Sequence, residues 1–211
     1  MTDFADSYIK QSELALEPIF PFLCDSVVSR AEPRLAGLTV ADLGGGTGQW
    51  LEALFALGIG FGLLLDENPA MVSHARARFE LIGCRGHAIR CRAEAIPICS
   101  ASCDLAISRN SMHLWADIAR GWAEIFRILV PGGSAFIGRG FGPDIPGDVR
   151  EKVKTARKAI RAKDAACREE PQSPPPLEVV ELAKACGFRN VQMVPDGKSY
   201  WILAKKNGHA P

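Results

Sequence analysis

A run of glycines followed, at a fixed distance, by a carboxylate is the part of this sequence with the clearest chemical meaning. The segment Ala41-Asp42-Leu43-Gly44-Gly45-Gly46-Thr47-Gly48 closes a short apolar stretch that begins at Leu38. It reads as a buried strand running into a tight turn. Without a Cβ, glycine lets the main chain come close to a ligand. A dinucleotide site needs G-x-G-x-x-G, so that a helix N-terminus can face a pyrophosphate. Both registers fail, because the third glycine position holds Gln49 counted from Gly44 and Leu51 counted from Gly46. The pattern present is D-x-G-x-G-x-G, carried by Asp42, Gly44, Gly46 and Gly48. It suits a cofactor with an amino acid group, whose carboxylate sits on loop N–H groups and the positive helix end. Asp42 then lies near the ammonium.

Asp66 ends a second apolar run, Phe61 to Leu65. Its two oxygens can accept both hydroxyls of a ribose, and an acid about 20 residues past the glycines is what an adenosine-bearing cofactor requires. A glycine cluster alone is most often a structural turn, and a strand-end aspartate alone is commonplace. Their joint spacing carries the reading.

The elements that must position these residues alternate along the chain. Residues 1–35 read as helical, with Pro18 and Pro21 expected to break or kink the run. Helices are expected over Gln49 to Leu57, from Asn68-Pro69 to about Ile82, over Trp115 to Leu129, Asp148 to Glu170 and Leu177 to Cys186. Strands are expected at His87 to Arg92, Cys103 to Ser108 and Ser134 to Gly138, the last entered through Pro131-Gly132-Gly133. Phe188 to Val194 and Tyr200 to Ala204 read as a closing pair joined by Pro195-Asp196-Gly197. Strand and helix in alternation imply an α/β fold: a Rossmann-like doubly wound sheet, mostly parallel with an antiparallel C-terminal strand, and helices on both faces. Its ligand crevice lies at the carboxyl ends of the strands. Asp148 to Glu170 mixes basic and acidic residues and reads as a solvated helix face. Pro171 to Pro176 reads as a stiff linker.

Composition narrows the function. With a formal net charge of +1, the chain has no whole-molecule field that would gather nucleic acid or an anionic membrane. No apolar run approaches the ~20 residues that span a bilayer, and Asp3 and Asp6 stand where a signal peptide is basic. A cytoplasmic protein is expected. Its seven cysteines lack a C-x-x-C pair and read as free thiols, so no metal site is expected. Cys84, Cys91, Cys99 and Cys103 as a soft-metal site is the alternative, with little support from spacing.

The residues also resemble the class I S-adenosylmethionine-dependent methyltransferases, over roughly Val40 to Ile137 and again in the C-terminal strands. Val40 to Gly48 is similar to the family's first motif, Leu65-Asp66-Glu67-Asn68-Pro69-Ala70-Met71 to its second, and Arg92-Ala93-Glu94-Ala95-Ile96-Pro97 to its third. Cys103 to Ser108 resembles the fourth strand, and Arg127 to Gly133 the approach to the fifth. Residues Ser108 to Ser111, Trp115, Gly138 to Gly142 and Tyr200 to Ile202 resemble a little-characterised prokaryotic subgroup.

The resemblance implies S-adenosyl-L-methionine as cofactor, S-adenosyl-L-homocysteine as product, and methylation of an unidentified small molecule. Gly44, Gly45 and Gly46 then line the methionine moiety beside Asp42, and Asp66 holds the ribose. Glu67 and Met71 flank the adenine, Ala93 and Glu94 border its edge, and the Ser108 carbonyl meets the methionyl amine. Arg92 departs from the family, where an acid often accepts from the adenine amino group, since arginine has no acceptor. Either its side chain turns away and backbone reads the base, or Glu94 takes over. His113 and Tyr8 are the candidate general bases, with packing beside Trp115 and a lid role as their respective alternatives.

One methyltransferase domain is expected over 1–211: a helical lid at 1–35, a cofactor-binding core at 38–139, a variable cap and linker at 140–176, and a C-terminal helix and strand pair at 177–205. Two rivals stay open, an RNA- or protein-directed methyltransferase and a non-catalytic binder of the same cofactor. The oligomeric state is not legible.

Overall fold

The computed structural model describes residues 4–32, 34–162 and 172–208. Cys167, Pro171 and the 163–170 part of the expected charged helix lie outside them. The chain forms a seven-stranded sheet of order β3-β2-β1-β4-β5-β7-β6. The strands are β1 (Thr39–Leu43), β2 (Phe61–Asp66), β3 (Gly86–Arg90), β4 (Cys103–Arg109), β5 (Leu129–Gly138), β6 (Arg189–Asp196) and β7 (Ser199–Lys205). β1 to β5 pair in parallel, while β7 runs antiparallel to both β5 and β6. The order reverses direction at β1, which places the crevice at the carboxyl ends of β1 and β4.

The connecting helices are α1 (Phe4–Gln11), α2 (Phe20–Arg30), α3 (Gln49–Ala56), α4 (Pro69–Ile82), α5 (Ile118–Ile128), α6 (Gly147–Arg161) and α7 (Pro176–Ala185). Asn68 caps α4 by accepting from the Ala70 N–H at 2.9 Å, as its position before a proline predicts. At the start, the prolines reshape the helix without ending it. A wide π-helical turn at Ser12–Leu16 and a tight 3₁₀ turn at Glu17–Ile19 join α1 to α2. Pro18 and Pro21 each fall in a first turn, where a missing N–H costs nothing.

Two other expectations shift. The helix expected from Trp115 starts at Ile118, because Asp117 takes the N-cap and accepts from the Arg120 N–H at 2.9 Å. Met112–Leu114 is instead a short 3₁₀ turn. β5 begins at Leu129, directly after α5, so Pro131-Gly132-Gly133 is an irregular stretch inside the strand and not a turn before it. The Gly132 N–H is satisfied by the Lys206 carbonyl at 3.0 Å.

Both sheet faces are covered. One carries Leu23, Trp50, Leu54, Leu64, Phe136 and Trp201; the other carries Leu65, Trp122, Ile125, Val179, Phe188 and Ile202. On the first face Trp201 stacks on Phe136 at 4.7 Å between centroids and meets Trp50 edge-on at 6.0 Å. A Cβ on Gly138 would lie 2.4 Å from the Trp201 ring, so a glycine is required across from this indole. Trp201→Ala is expected to destabilise the protein by about 3–5 kcal/mol through the cavity it leaves, as read by urea denaturation.

Candidate active site

The glycine loop is built on main-chain conformations that other residues rarely adopt. Gly44, Gly46 and Gly48 have φ of +63°, +57° and +81°. The Gly44 N–H donates to the Leu65 carbonyl at 2.6 Å, tying the loop to the end of β2. Asp66 completes the tie, its Oδ2 accepting from the Gly46 N–H at 3.0 Å and its Oδ1 from the Asn68 N–H at 2.9 Å. Burial raises the Asp66 carboxyl above its ordinary value, and these two bonds oppose the rise. A carboxylate has about four acceptor positions, so acceptor capacity is left on both oxygens.

A cavity of about 400 Å³ opens above the loop. Gly44, Gly46 and Asp66 form its floor, and Glu67, Met71, Ala93 and Glu94 form one side. Arg109 at the end of β4 and the segment after it, to Ala116, form the other, with Tyr8 of α1 and Arg157 of α6 also lining the cavity. A Cβ on Gly44 would lie 2.2 Å from that of Ser111, and one on Gly46 would lie 3.2 Å from the Tyr8 ring. The loop is thus pressed between the post-β4 segment and the first helix.

Most of the expected residues converge here: Gly44, Gly46, Asp66, Glu67, Met71, Ala93, Glu94, His113 and Tyr8 all border this cavity. Three stand elsewhere. Gly45 faces down, so that a Cβ there would meet Asp42 at 2.8 Å and Leu64 at 2.9 Å. Asp42 is buried and borders, with Gly45, Thr47 and Arg109, a narrow recess behind the loop. Ser108 is fully buried beneath the cavity wall. Its hydroxyl lies 2.6 Å from that of Ser111, and both are within reach of the Leu43 carbonyl, at 2.7 and 3.0 Å. Ser111 is the one that reaches the cavity, and it also accepts from the Trp115 indole N–H at 3.2 Å.

Glu94 has a definite task. Its Oε1 accepts from the Ala116 and Asp117 N–H groups at 2.7 and 3.1 Å, and its Oε2 lies 3.5 Å from Arg92 Nε. Burial works against its charge, but these amides and Arg92 outweigh burial and hold the carboxyl below its usual range. The carboxylate therefore straps the post-β4 segment to the end of β3, and the Arg92 side chain turns to it, largely in solvent.

The lid is fastened to the loop it covers. Ser12 bonds Thr47 at 2.9 Å and also the Gln49 side chain. Arg78 donates to the Thr47 carbonyl at 2.9 Å and pairs with both Glu13 and Glu52. Arg161 of α6 donates to Gln11 at 3.1 Å.

Two residues of this architecture carried no readable signal. Arg157 is one base among many in a charged helix. Asp196 sits in a Pro-Asp-Gly sequence that marks only a turn, yet its side chain is wholly buried. Its Oδ2 accepts from the Phe141 and Gly142 N–H groups at 3.1 and 2.9 Å and from the Trp201 indole at 3.1 Å, while Arg150 pairs with Oδ1 at 2.5 Å. It fixes the turn that follows β5.

Burial pushes the Asp42 carboxyl up to about 8, with Arg109 opposing the shift and Asp66 adding to it. The folded protein then holds a proton that the unfolded chain releases near its ordinary value of 3.8. Stability contributed by this group falls as pH rises from about 4 to about 8, by up to about 1.4 kcal/mol per unit. Asp42→Asn is expected to flatten that slope, so its stability relative to the parent grows between pH 5 and pH 8 in denaturant titrations.

Comparison with known proteins bears on this geometry. Residues 40–133 match a family profile described as a methyltransferase domain. The chain is 31% identical over 185 residues to 2-methyl-6-phytyl-1,4-hydroquinone methyltransferase of Spinacia oleracea, covering 87% of this chain and 49% of that protein. It is 35% identical over 108 residues to a tRNA (carboxymethyluridine(34)-5-O)-methyltransferase of Macaca fascicularis, covering 48% of this chain and 14% of that one. The chain therefore spans about half the length of the spinach relative. In fold it is similar to a Methanococcus maripaludis protein assigned to the S-adenosyl-L-methionine-dependent methyltransferases, with a TM-score of 0.79 at 23% identity over 99% of this chain and 95% of that one. Residues 40–133 thus match a methyltransferase domain by profile, and the chain as a whole is similar in fold to the Methanococcus protein.

Proposed function

We propose that the protein transfers a methyl group from S-adenosyl-L-methionine to a small-molecule acceptor. The observation that carries the reading is the Asp66 carboxylate, strapped to the glycine loop with acceptor capacity left on both oxygens, at the floor of a covered cavity. Its chemistry fits the group. Asp66 would take the ribose hydroxyls, and Met71 and Ala93 offer an apolar border for a base. Glu94 Oε1 already serves two amides, which favours backbone near Ala93 for reading the adenine edge. Gly44 and Gly46 leave room for the amino acid portion, and Arg109, which borders both the cavity and the recess, is a donor for its carboxylate.

When bound, the cofactor supplies an electrophilic methyl group on a sulfonium. The work of this chain is then placement, and holding two reactants in line can lower a barrier by roughly 7–11 kcal/mol. Tyr8 and the helices above the loop cover part of the cavity, Tyr8 lying against Gly46. His113, on the segment that Glu94 fastens, is the candidate to take a proton where the acceptor must lose one. In this reading the chain divides its labour as the sequence suggests, with 1–35 proposed as lid and 140–176 as cap. The free cysteines, among them buried Cys24 and Cys103, support a reducing compartment such as the cytoplasm. No described helix is long and apolar enough to cross a membrane, and no described cluster of His, Cys, Asp and Glu could hold a metal ion.

A macromolecular acceptor is the second reading, favoured by the identity to a tRNA methyltransferase. Salt-sensitive RNA binding would mark it. Calorimetry with S-adenosylhomocysteine tests the first reading directly. Asp66→Ala is expected to weaken that binding by about 100-fold, the loss of hydrogen bonds to a charged group. Wild-type protein is expected to ignore nicotinamide dinucleotides, and turnover of the methyl donor with a pool of small acceptors separates an enzyme from a mere binder.

A further inference from the structure

The charges around the cavity are sorted by the strand order. Its carboxylates, Asp66, Glu67 and Glu94, lie at the end of β2 and after β3. On the opposite side, from the end of β4 onward and from α6, the lining holds Arg109, His113 and Arg157 and, among the described residues, no carboxylate. Arg92, the one cation on the acidic side, faces Glu94 at 3.5 Å.

The two arginines of the basic side are placed differently. Arg109 is buried, donates to the Gly140 carbonyl at 3.3 Å and reaches the recess that Asp42 borders. Arg157 arrives from outside the sheet, and its guanidinium lies 5.6 Å from the centre of the Phe141 ring. Asp196 fixes that ring's position through the Phe141 N–H and separately engages Arg150, two turns earlier on α6. The helix is seated by buried Val153 and by the Arg161 contact to Gln11. Arg157 is thus a cation held at the roof of the cavity on the side away from the ribose acid.

We propose that the methyl acceptor is a small oxyanion, a molecule bearing a carboxylate or phosphate, and that Arg157 receives its anionic group. The proposal rests on the methyltransferase reading. A guanidinium fork matches either oxyanion in two parallel hydrogen bonds. The sorted field favours an anion at the basic side and none beside Asp66. At about 400 Å³, the cavity is near the lower end of ligand sites, ~300–1,000 Å³. A nucleoside joined to an amino acid fills most of it, which leaves space for a compact acceptor. Tyr8, Leu114 and Trp115 add flat apolar surface, so the body of that acceptor is apolar or aromatic.

The experiment is calorimetry in two stages. S-adenosylhomocysteine is titrated into wild type, Arg157→Met and Arg157→Lys; then benzoate, phenyl phosphate and benzamide are titrated into each saturated protein. Met keeps the apolar stem without the charge, and Lys keeps the charge. Equal binding in the first stage shows that all three are folded around the cofactor site. Wild type is expected to bind at least one of the two anions about tenfold or more tighter than benzamide. Arg157→Met erases that preference and Arg157→Lys restores part of it, while benzoate against phenyl phosphate tells which oxyanion fits. Binding of benzamide as tight as both anions, binding of none of the three, or a preference that survives in Arg157→Met overturns the proposal. Failure of wild type to bind S-adenosylhomocysteine, seen before any probe is added, overturns the methyltransferase reading and this one with it.

Discussion

The hydrogen bond from the Gly46 N–H to Asp66 Oδ2, 3.0 Å long, is the constraint on which the rest of this site depends. It joins the turn after β1 to the end of β2, the neighbouring strand, and so sets the height of the glycine loop above the sheet. With the loop at that height, Gly44 presses on Ser111 and Gly46 lies under Tyr8. A side chain at either position would push the post-β4 segment or the first helix away. The cavity exists because the main chain is bare there and because a carboxylate holds it in place.

The same device recurs around the rim. Asp66, Glu94 and Asp196 each accept two backbone N–H groups. In every case at least one amide belongs to a loop far away in sequence. A buried carboxylate is costly unless its lone pairs are filled, and loop amides are costly unless accepted. Each pairing answers both demands and fixes a connection that would otherwise drift. Among the described residues Asp42 has no such amide, and it is the group whose proton affinity burial raises most clearly, to about 8. The contrast with Glu94 is physical: there the amides and Arg92 outweigh burial and hold the carboxyl below its usual range, whereas burial raises Asp42 with only Arg109 opposing it.

The lid illustrates how packing decides what propensity leaves open. The two prolines near residue 20 look like breaks. The chain instead passes through a wide turn and a tight turn that keep the helical path. That path is fastened by Ser12 to Thr47 and Gln49, residues of the glycine loop and of the helix after it. A hydroxyl thirty-five residues away gives no local signal, so the clamp is invisible until the fold is closed.

What the sequence by itself determined is everything governed by short range. The alternation of apolar runs and amphipathic stretches was enough for the parallel sheet, since a strand covered on both faces must be apolar throughout. Glycine spacing and the later aspartate were enough to bring Gly44, Gly46 and Asp66 to one cavity, because φ, strand ends and helix caps are properties of a few adjacent residues. Tertiary structure decided the rest. Ser111 borders the cavity, while the Ser108 hydroxyl is buried against Ser111 and the Leu43 carbonyl. Glu94 is spent on two loop amides, and Arg157, indistinguishable among the bases of its helix, is the one that reaches the roof. Such assignments depend on which distant segments meet, and that is set only when the whole sheet and its coverings pack together.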